Sequence, residues 1–111
     1  MIKFPRFLAA TLGIVLTAMA FASAARAGDA AEGQALASRW CSGCHNVGGD
    51  GKPSASDTIP TFDSIAQRKE LNRVQLETWI GNPHPPMPNL SLTRVEIDNL
   101  VSYIESLRRP H

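Results

Sequence analysis

The sequence Cys41-Ser42-Gly43-Cys44-His45 decides how the rest of the chain is interpreted, because it holds both cysteines of the protein. A Cys-x-x-Cys-His pentapeptide is the pattern of covalent c-type haem attachment. Two thiols one helical turn apart can each add across a haem vinyl group, and the imidazole that follows them is placed beneath the iron as proximal ligand. The motif therefore predicts one covalent haem c with its iron, held by Cys41, Cys44 and His45.

Three other roles for the two cysteines are open. A disulfide between Cys41 and Cys44 would close a very short loop, and the entropic gain from such a loop is small. A thioredoxin-type dithiol would follow a β-strand, whereas the segment before Cys41 is predicted to be helical. A zinc site would need further ligands, and only His84 and His111 remain to supply them. The spacing of the pentapeptide favours haem attachment over all three.

Met87 is the predicted second axial ligand, since it is the only methionine in residues 28–111. It lies in Asn82-Pro83-His84-Pro85-Pro86-Met87-Pro88, where the prolines exclude a helix and are expected to stiffen an extended loop. A thioether favours ferrous iron, so a His/Met pair raises the reduction potential relative to a His/His pair. His84 is the alternative distal ligand, and core packing is the alternative role for Met87.

The first 27 residues have the pattern of a secretory signal peptide. Lys3 and Arg6 precede an uncharged stretch over residues 8–21, and two small-x-small sites end at Ala24 and Ala27. The alternative, an uncleaved membrane anchor, has an apolar run shorter than the roughly 20 residues that span a bilayer. We expect cleavage after Ala27, which leaves one domain over residues 28–111 in the periplasm, without a membrane span.

Residues 28–111 are mildly acidic and poor in large apolar side chains. The full chain has 11 Lys+Arg and 10 Asp+Glu, a net charge of +1, whereas residues 28–111 keep 8 basic and all 10 acidic residues, a net charge of −2. This length and charge exclude a multidomain enzyme and a nucleic-acid binder that relies on bulk positive charge. One Met, one Phe, one Tyr and two Trp remain to build the core. Domains this small need a staple, so haem is expected to complete the core.

Helical patterns indicate an all-α fold. Residues 29–32 and 93–96 each have the spacing of a capping box, the first beginning a helix that leads to Cys41 and the second beginning the C-terminal helix. The C-terminal helix has helically spaced apolar residues at Ile97, Leu100, Val101, Ile104 and Leu107. Arg108 and Arg109 are interpreted as its solvated end. No strand pattern occurs.

Two shorter helices are predicted between the terminal helices. One begins at Pro60 or Thr61 and runs through Ala66, after a surface loop over residues 46–58. The other covers residues 73–80, with Gly81 ending it. Its apolar residues are Val74, Leu76, Trp79 and Ile80.

Taken together, these residues make the chain similar to the small class I cytochromes c over residues 28–111. Gly33 and Tyr103 resemble the glycine and the aromatic residue at which the first and last helices of that family cross. Pro60 resembles the prolyl residue whose carbonyl accepts the ring proton of the proximal histidine. Trp79 begins a segment that resembles the family's aromatic-x-x-Asn-Pro sequence, which implies that Trp79 lies beside the haem on the methionine side. Ala37 departs from the family, which often has an aromatic residue there.

The resemblance implies a class I cytochrome c fold, with crossing N- and C-terminal helices and with short helices and loops around one haem. It implies an electron carrier rather than an enzyme, because ligation by both His45 and Met87 leaves no open position on the iron. Its expected partners are redox proteins, a donor dehydrogenase and an acceptor oxidase or reductase. The alternatives are a haem subunit of a periplasmic dehydrogenase and a haem peroxidase or gas-binding protein with an open sixth site. Only Lys52 and Lys69 remain in residues 28–111, so the lysine ring that docks some relatives is absent.

Overall fold

The computed structural model describes residues 28–82 and 84–110. Over these residues the chain forms four α-helices and no strand: α1 (Ala30–Trp40), α2 (Phe62–Ala66), α3 (Arg73–Gly81) and α4 (Arg94–Ser106). The predicted all-α fold is confirmed. The predicted signal peptide over residues 1–27 lies outside the described residues, as do Pro83 and His111.

Reciprocal capping boxes begin α3 and α4. The Asn72 side chain accepts a hydrogen bond from the Gln75 N–H while the Gln75 side chain accepts from the Asn72 N–H. Thr93 and Glu96 form the same pair of bonds at α4, as the sequence predicts. Hydrogen bonding from the Thr93 N–H lowers the pKa of Glu96. These two helix starts are therefore set by local sequence.

The start of α1 differs from the prediction, because only half of a capping box forms. The Asp29 carboxylate accepts hydrogen bonds from the N–H groups of Ala31 and Glu32. The Asp29 N–H, however, donates to Asn99 Oδ1 at 2.7 Å instead of to Glu32. A residue of α4 thus completes the cap of α1, so this helix start is partly a tertiary contact.

Helices α1 and α4 pack together through small residues. A Cβ atom on Gly33 would lie 2.0 Å from the Asn99 carbonyl oxygen and 2.8 Å from Tyr103 Cβ, so only glycine allows this approach. Ala37, one turn later on α1, is fully buried. The Tyr103 hydroxyl donates to the Val47 carbonyl at 2.6 Å, and burial raises the pKa of this hydroxyl. The predicted contact between the terminal helices is confirmed.

Helix α4 organises the other helices. Helices α1, α2 and α3 each pack against α4, and within the described part of the chain they do not pack against one another. Of the predicted apolar residues of α4, three are buried and Ile97 and Leu107 are half-buried against the core. The buried core consists of Ala37, Cys41, Phe62, Ala66, Leu76, Leu100, Val101, Tyr103 and Ile104.

Helix α3 buries less than its apolar residues suggest. Only Leu76 is buried, whereas Val74 is 68% exposed and Trp79 is 59% exposed. The helix also includes Gly81 rather than ending before it, because the Asn82 N–H and side-chain amide both donate to the Thr78 carbonyl. The polar Asn82 side chain therefore ends α3 where the glycine was expected to do so.

The two arginines after α4 are exposed, as expected of a solvated helix end, and they also make specific contacts. Arg108 donates to the carbonyls of Ala66 at 3.2 Å and Leu71 at 2.6 Å. Arg109 donates to both carboxylate oxygens of Asp63, at 2.9 and 3.3 Å. Arg108 thus lies beside the last carbonyl of α2, the end of a helix at which a cation is favoured. Among the described residues, no helix combines the length and apolar character needed to cross a bilayer.

Candidate haem-binding site

The end of α1 positions the two cysteines on a turn. Cys41 is the C-cap of α1, and its carbonyl accepts hydrogen bonds from the N–H groups of Cys44 at 3.2 Å and His45 at 2.9 Å. Cys41 is buried and Cys44 is exposed, and both are free cysteines, so no disulfide joins them. Burial raises the pKa of the Cys41 thiol. The turn keeps both sulfurs and the imidazole within a single short segment.

The His45 ring is oriented by a backbone carbonyl. Its Nδ1 lies 2.7 Å from the carbonyl oxygen of Pro60. A carbonyl oxygen only accepts, so Nδ1 carries the proton and Nε2 keeps a lone pair with which to bind a metal. The ring also packs against Phe62, the first residue of α2, with 5.4 Å between ring centroids.

Asn46 organises the loop that leads from His45 to Pro60. Its side-chain oxygen accepts from the Gly48 N–H at 2.9 Å, and its amide donates to the Asp50 carboxylate and to the Lys52 carbonyl. The hydrogen bond from Asn46 lowers the pKa of Asp50. The Asn46 carbonyl in turn accepts from the Phe62 N–H at 2.9 Å. Asn46 was not predicted as a site residue, although an asparagine shortly before a glycine pair is typical of a side-chain turn.

The proline-rich segment is folded back rather than extended. The Pro85–Pro86 peptide bond is cis, and the Met87 N–H donates to the His84 carbonyl at 2.8 Å. These four residues form a tight turn of the kind that has a cis proline at its third position. The predicted absence of helix holds, but the predicted extended shape is wrong here. Met87 ends the turn and is half-buried.

Trp79 and His84 contact each other at the end of α3. Their rings meet edge to face with 5.4 Å between centroids, and His84 Nδ1 lies 3.2 Å from the Asn82 carbonyl oxygen. His84 is half-buried. The Trp79 ring is thus linked to the turn that carries Met87.

The contacts therefore join the predicted site residues into two groups. One group contains Cys41, Cys44, His45 and Pro60, and the other contains Trp79 and the turn of residues 84–87. Within the described ranges, none of the hydrogen bonds or ring contacts runs between the two groups. Among these same residues, His, Cys, Asp and Glu side chains do not assemble into a group of three or more that could hold a metal ion.

The available donors fit a haem c. Two free thiols within one turn suit two thioether bonds, and an imidazole with an unprotonated Nε2 suits an axial ligand. The profile of the cytochrome c family matches residues 30–108. The chain belongs to the cytochrome c family. It is also 40% identical over 95 residues to a protein named cytochrome c-552 from Bradyrhizobium diazoefficiens, an alignment that covers 86% of this chain and 90% of that protein.

No solved structure matches the chain in the structural comparison. The family match and the relative identify a small monohaem class I c-type cytochrome that carries covalently bound haem c with its iron. As a cytochrome c, the protein is a haem electron carrier that exchanges electrons with redox partner proteins.

Proposed function

We propose that the mature protein is a periplasmic cytochrome c with His45 and Met87 as axial ligands, which carries single electrons between larger redox proteins. In this proposal Cys41 and Cys44 form the two thioether bonds. The 2.7 Å hydrogen bond between His45 and the Pro60 carbonyl, next to two free thiols, is the observation that carries it. When bound, the haem supplies reversible one-electron chemistry at its iron.

On the proximal side, the chain holds the imidazole in one orientation. The Pro60 carbonyl retains the Nδ1 proton, which fixes the tautomer and makes Nε2 a stronger donor. Phe62 restricts rotation of the His45 ring, and Asn46 ties the loop that supplies Pro60 to the start of α2. A ligand held in this way changes little between the two oxidation states of iron, so the geometry suits an electron carrier.

On the distal side, the contacts of His84 favour Met87 as the ligand. The His84 ring packs against Trp79, and its Nδ1 lies beside the Asn82 carbonyl. Met87 has its N–H tied to the His84 carbonyl, which fixes its backbone and leaves the thioether available. We place Trp79, which is 59% exposed, beside the haem on this side. With both ligands bound, substrate has no access to the iron.

Export to the periplasm is part of the proposal. We infer that residues 1–27 are a signal peptide that is removed, and that residues 28–111 form the cytochrome domain. The contacts of the first described residues support this division, because Gly28 and Asp29 are already bonded to α4. Cleavage after the small-x-small site that ends at Ala27 would keep both of these contacts in the mature chain.

The Met87→Ala variant tests the distal ligand. We expect the oxidised protein to lose its weak near-infrared methionine-to-iron band and to have a lower reduction potential, because the soft thioether is gone. The His84→Ala variant is the matched control and should keep the band. Retention of the band by Met87→Ala would contradict the assignment of Met87.

Cysteine variants test the attachment residues. The double variant Cys41→Ala, Cys44→Ala should contain no haem that survives acid extraction, and each single variant should give a pyridine haemochrome spectrum with one thioether bond. Pro60→Ala is a control, because the hydrogen bond to His45 is accepted by a backbone carbonyl that alanine retains. A double variant that still binds haem covalently would exclude the proposed attachment.

A further inference from the structure

The first two described residues of the chain are anchored on α4. The Gly28 nitrogen donates to Asp98 Oδ2 at 2.8 Å, and the Asp29 nitrogen donates to Asn99 Oδ1 at 2.7 Å. A Cβ atom on Gly28 would lie 2.4 Å from the Asp98 carbonyl oxygen, so the backbone of residue 28 lies directly against the backbone of α4. The position thus accepts glycine and holds its nitrogen against a carboxylate.

Asp98 belongs to a charge cluster with too few cations. The Arg73 guanidinium is bonded to the carboxylates of Asp98, Glu105 and Glu77, the last two at 2.7 and 3.1 Å. Three carboxylates around one guanidinium leave a net charge of −2. Arg94 lines the same groove as Asp98 and Glu77, but within residues 28–82 and 84–110 it forms no ion pair. A further positive charge next to Asp98 would therefore stabilise the cluster.

We infer that the α-ammonium group of Gly28, created when residues 1–27 are removed, is this missing cation and forms an ion pair with Asp98. This inference rests on the proposed cleavage after Ala27. A signal peptidase adds water across the Ala27–Gly28 peptide bond, which leaves a carboxylate on Ala27 and an ammonium group on Gly28. The nitrogen that already donates to Asp98 thereby gains two further protons and a positive charge.

The physical effect is a stronger bond at an existing contact. The existing bond joins a neutral N–H to a carboxylate, and the ammonium group adds the Coulomb attraction between two opposite charges. An ammonium group just before α1 is by itself unfavourable, because the N-terminal end of a helix dipole is positive. The Asp98 carboxylate offsets this repulsion. Cleavage after Ala24 instead would leave three residues before Gly28, and the ammonium group would not be at Asp98.

The experiment uses the exported holoprotein and an insertion variant with Ser-Gly between Ala27 and Gly28. After cleavage, the variant keeps the Gly28 N–H but moves the ammonium group two residues away. Mass spectrometry identifies each N-terminus, and urea titrations give each stability. We expect the insertion to lower the ratio of folded to unfolded protein about fivefold. In the Asp98→Asn background, which keeps an acceptor without the charge, we expect a change of less than about twofold.

Glu105→Gln is the matched control, because Glu105 is bonded to Arg73 but not to Gly28. In that background the insertion should still lower the ratio of folded to unfolded protein by more than about twofold, because Asp98 keeps its charge. If the insertion has the same effect in the wild-type and Asp98→Asn backgrounds, the ion pair is overturned. A mature N-terminus of the wild-type protein other than Gly28 would also overturn it. Neither result affects haem attachment, which the cysteine variants test separately.

A second measurement does not depend on an Asp98 variant. The pH dependence of acylation of the α-amino group gives its pKa directly, in the wild-type protein and in the insertion variant. Pairing with Asp98, beside Arg73, Glu77 and Glu105, should raise this pKa above the usual range of about 7.7–8.0, whereas the displaced group should titrate within it. Equal pKa values in the two proteins would overturn the inference.

Discussion

Gly33 sets the distance between the two terminal helices. The Cβ that any other residue would add lies 2.0 Å from the Asn99 carbonyl oxygen, and backbone atoms cannot move aside as a flexible side chain can. Tyr103 fixes the same contact from the other helix, because its hydroxyl reaches the Val47 carbonyl in the loop after the haem motif. Single residues thus connect the helix pair to the segment that follows His45.

Gly33→Ala is expected to destabilise the holoprotein by about 3 kcal/mol, because α1 and α4 must separate to admit the methyl group. Denaturant titration measures the loss. Gly49→Ala is the control, since a Cβ there would lie 3.5 Å from Leu107 Cδ2, an ordinary contact, and its effect should stay within about 0.5 kcal/mol. Equal stability of the two variants would contradict a close backbone approach at Gly33.

Tyr103→Phe is expected to cost about 1–1.5 kcal/mol, because the Val47 carbonyl loses its hydrogen bond while the ring stays buried. The haem spectrum should not change. Ser106→Ala, which removes a hydroxyl from an exposed part of the same helix, should cost about 0.5 kcal/mol or less. If the two variants lose equal stability in the same titration, the Tyr103 hydroxyl has no special role.

At the scale of the helices, Arg73 joins α3 to α4. Burial by itself lowers the pKa of the guanidinium, but the hydrogen bond and charge of Asp98, with those of Glu105, outweigh it and raise the pKa. Hydrogen bonding from Arg73 is also the main cause of the lowered pKa of Asp98, and the Gly28 N–H adds to it. Leu76 is the only buried residue of α3 and Ile80 is half-buried against the core, so these charged contacts add to a small apolar attachment.

The lowered pKa of Asp98 predicts a stability difference that depends on pH. A carboxylate with a lowered folded-state pKa stabilises the fold above its unfolded pKa of about 3.9, and the contribution is lost as the pH falls through the folded value. Wild-type protein should therefore exceed Asp98→Asn in stability at pH 7, and the gap should close below about pH 4. Urea titrations measure this without added salt. The control variant Asp57→Asn, in an exposed loop, should have the same stability as the wild-type protein at every pH.

Whether an element could be predicted from the sequence depends on how far apart along the chain the residues that fix it lie. The starts of α3 and α4 were predicted because Asn72 and Thr93 find their partners three residues away. The cap of α1 was only partly predicted, because the Asp29 N–H donates to Asn99, which lies 70 residues further along the chain. The contact of Arg108 with Ala66 of α2 is also long-range, because the two residues are 42 positions apart. The haem motif could be predicted from the local sequence alone. The role of Asn46 could not, because it depends on contacts that exist only in the folded loop.

At the scale of the whole molecule, the protein core is small. Leu100 and Val101 are its largest fully buried side chains, and the tryptophans Trp40 and Trp79 are 54% and 59% exposed. The core thus lacks the two largest side chains of residues 28–111. A domain of this size with so little buried area depends on a staple, which in this family is the haem.

We therefore expect the chain to need haem in order to fold. The double variant Cys41→Ala, Cys44→Ala, prepared without haem, should lose most of the helical signal in far-UV circular dichroism and should unfold without a cooperative transition. The wild-type holoprotein in the same buffer is the control. A haem-free variant with native helical signal and a sharp transition would show that the protein core suffices alone.

The other helices all pack on α4, and this sets the order in which helix contacts can form during synthesis. Residues 94–106 are synthesised after every element that packs on them, so α1, α2 and α3 have no docking surface until the chain is nearly complete. A chain that emerges N-terminus first therefore presents Cys41 and Cys44 while α1 is still uncovered. Because the chain is expected to need haem in order to fold, haem attachment at these cysteines is expected to precede the docking of the other helices on α4.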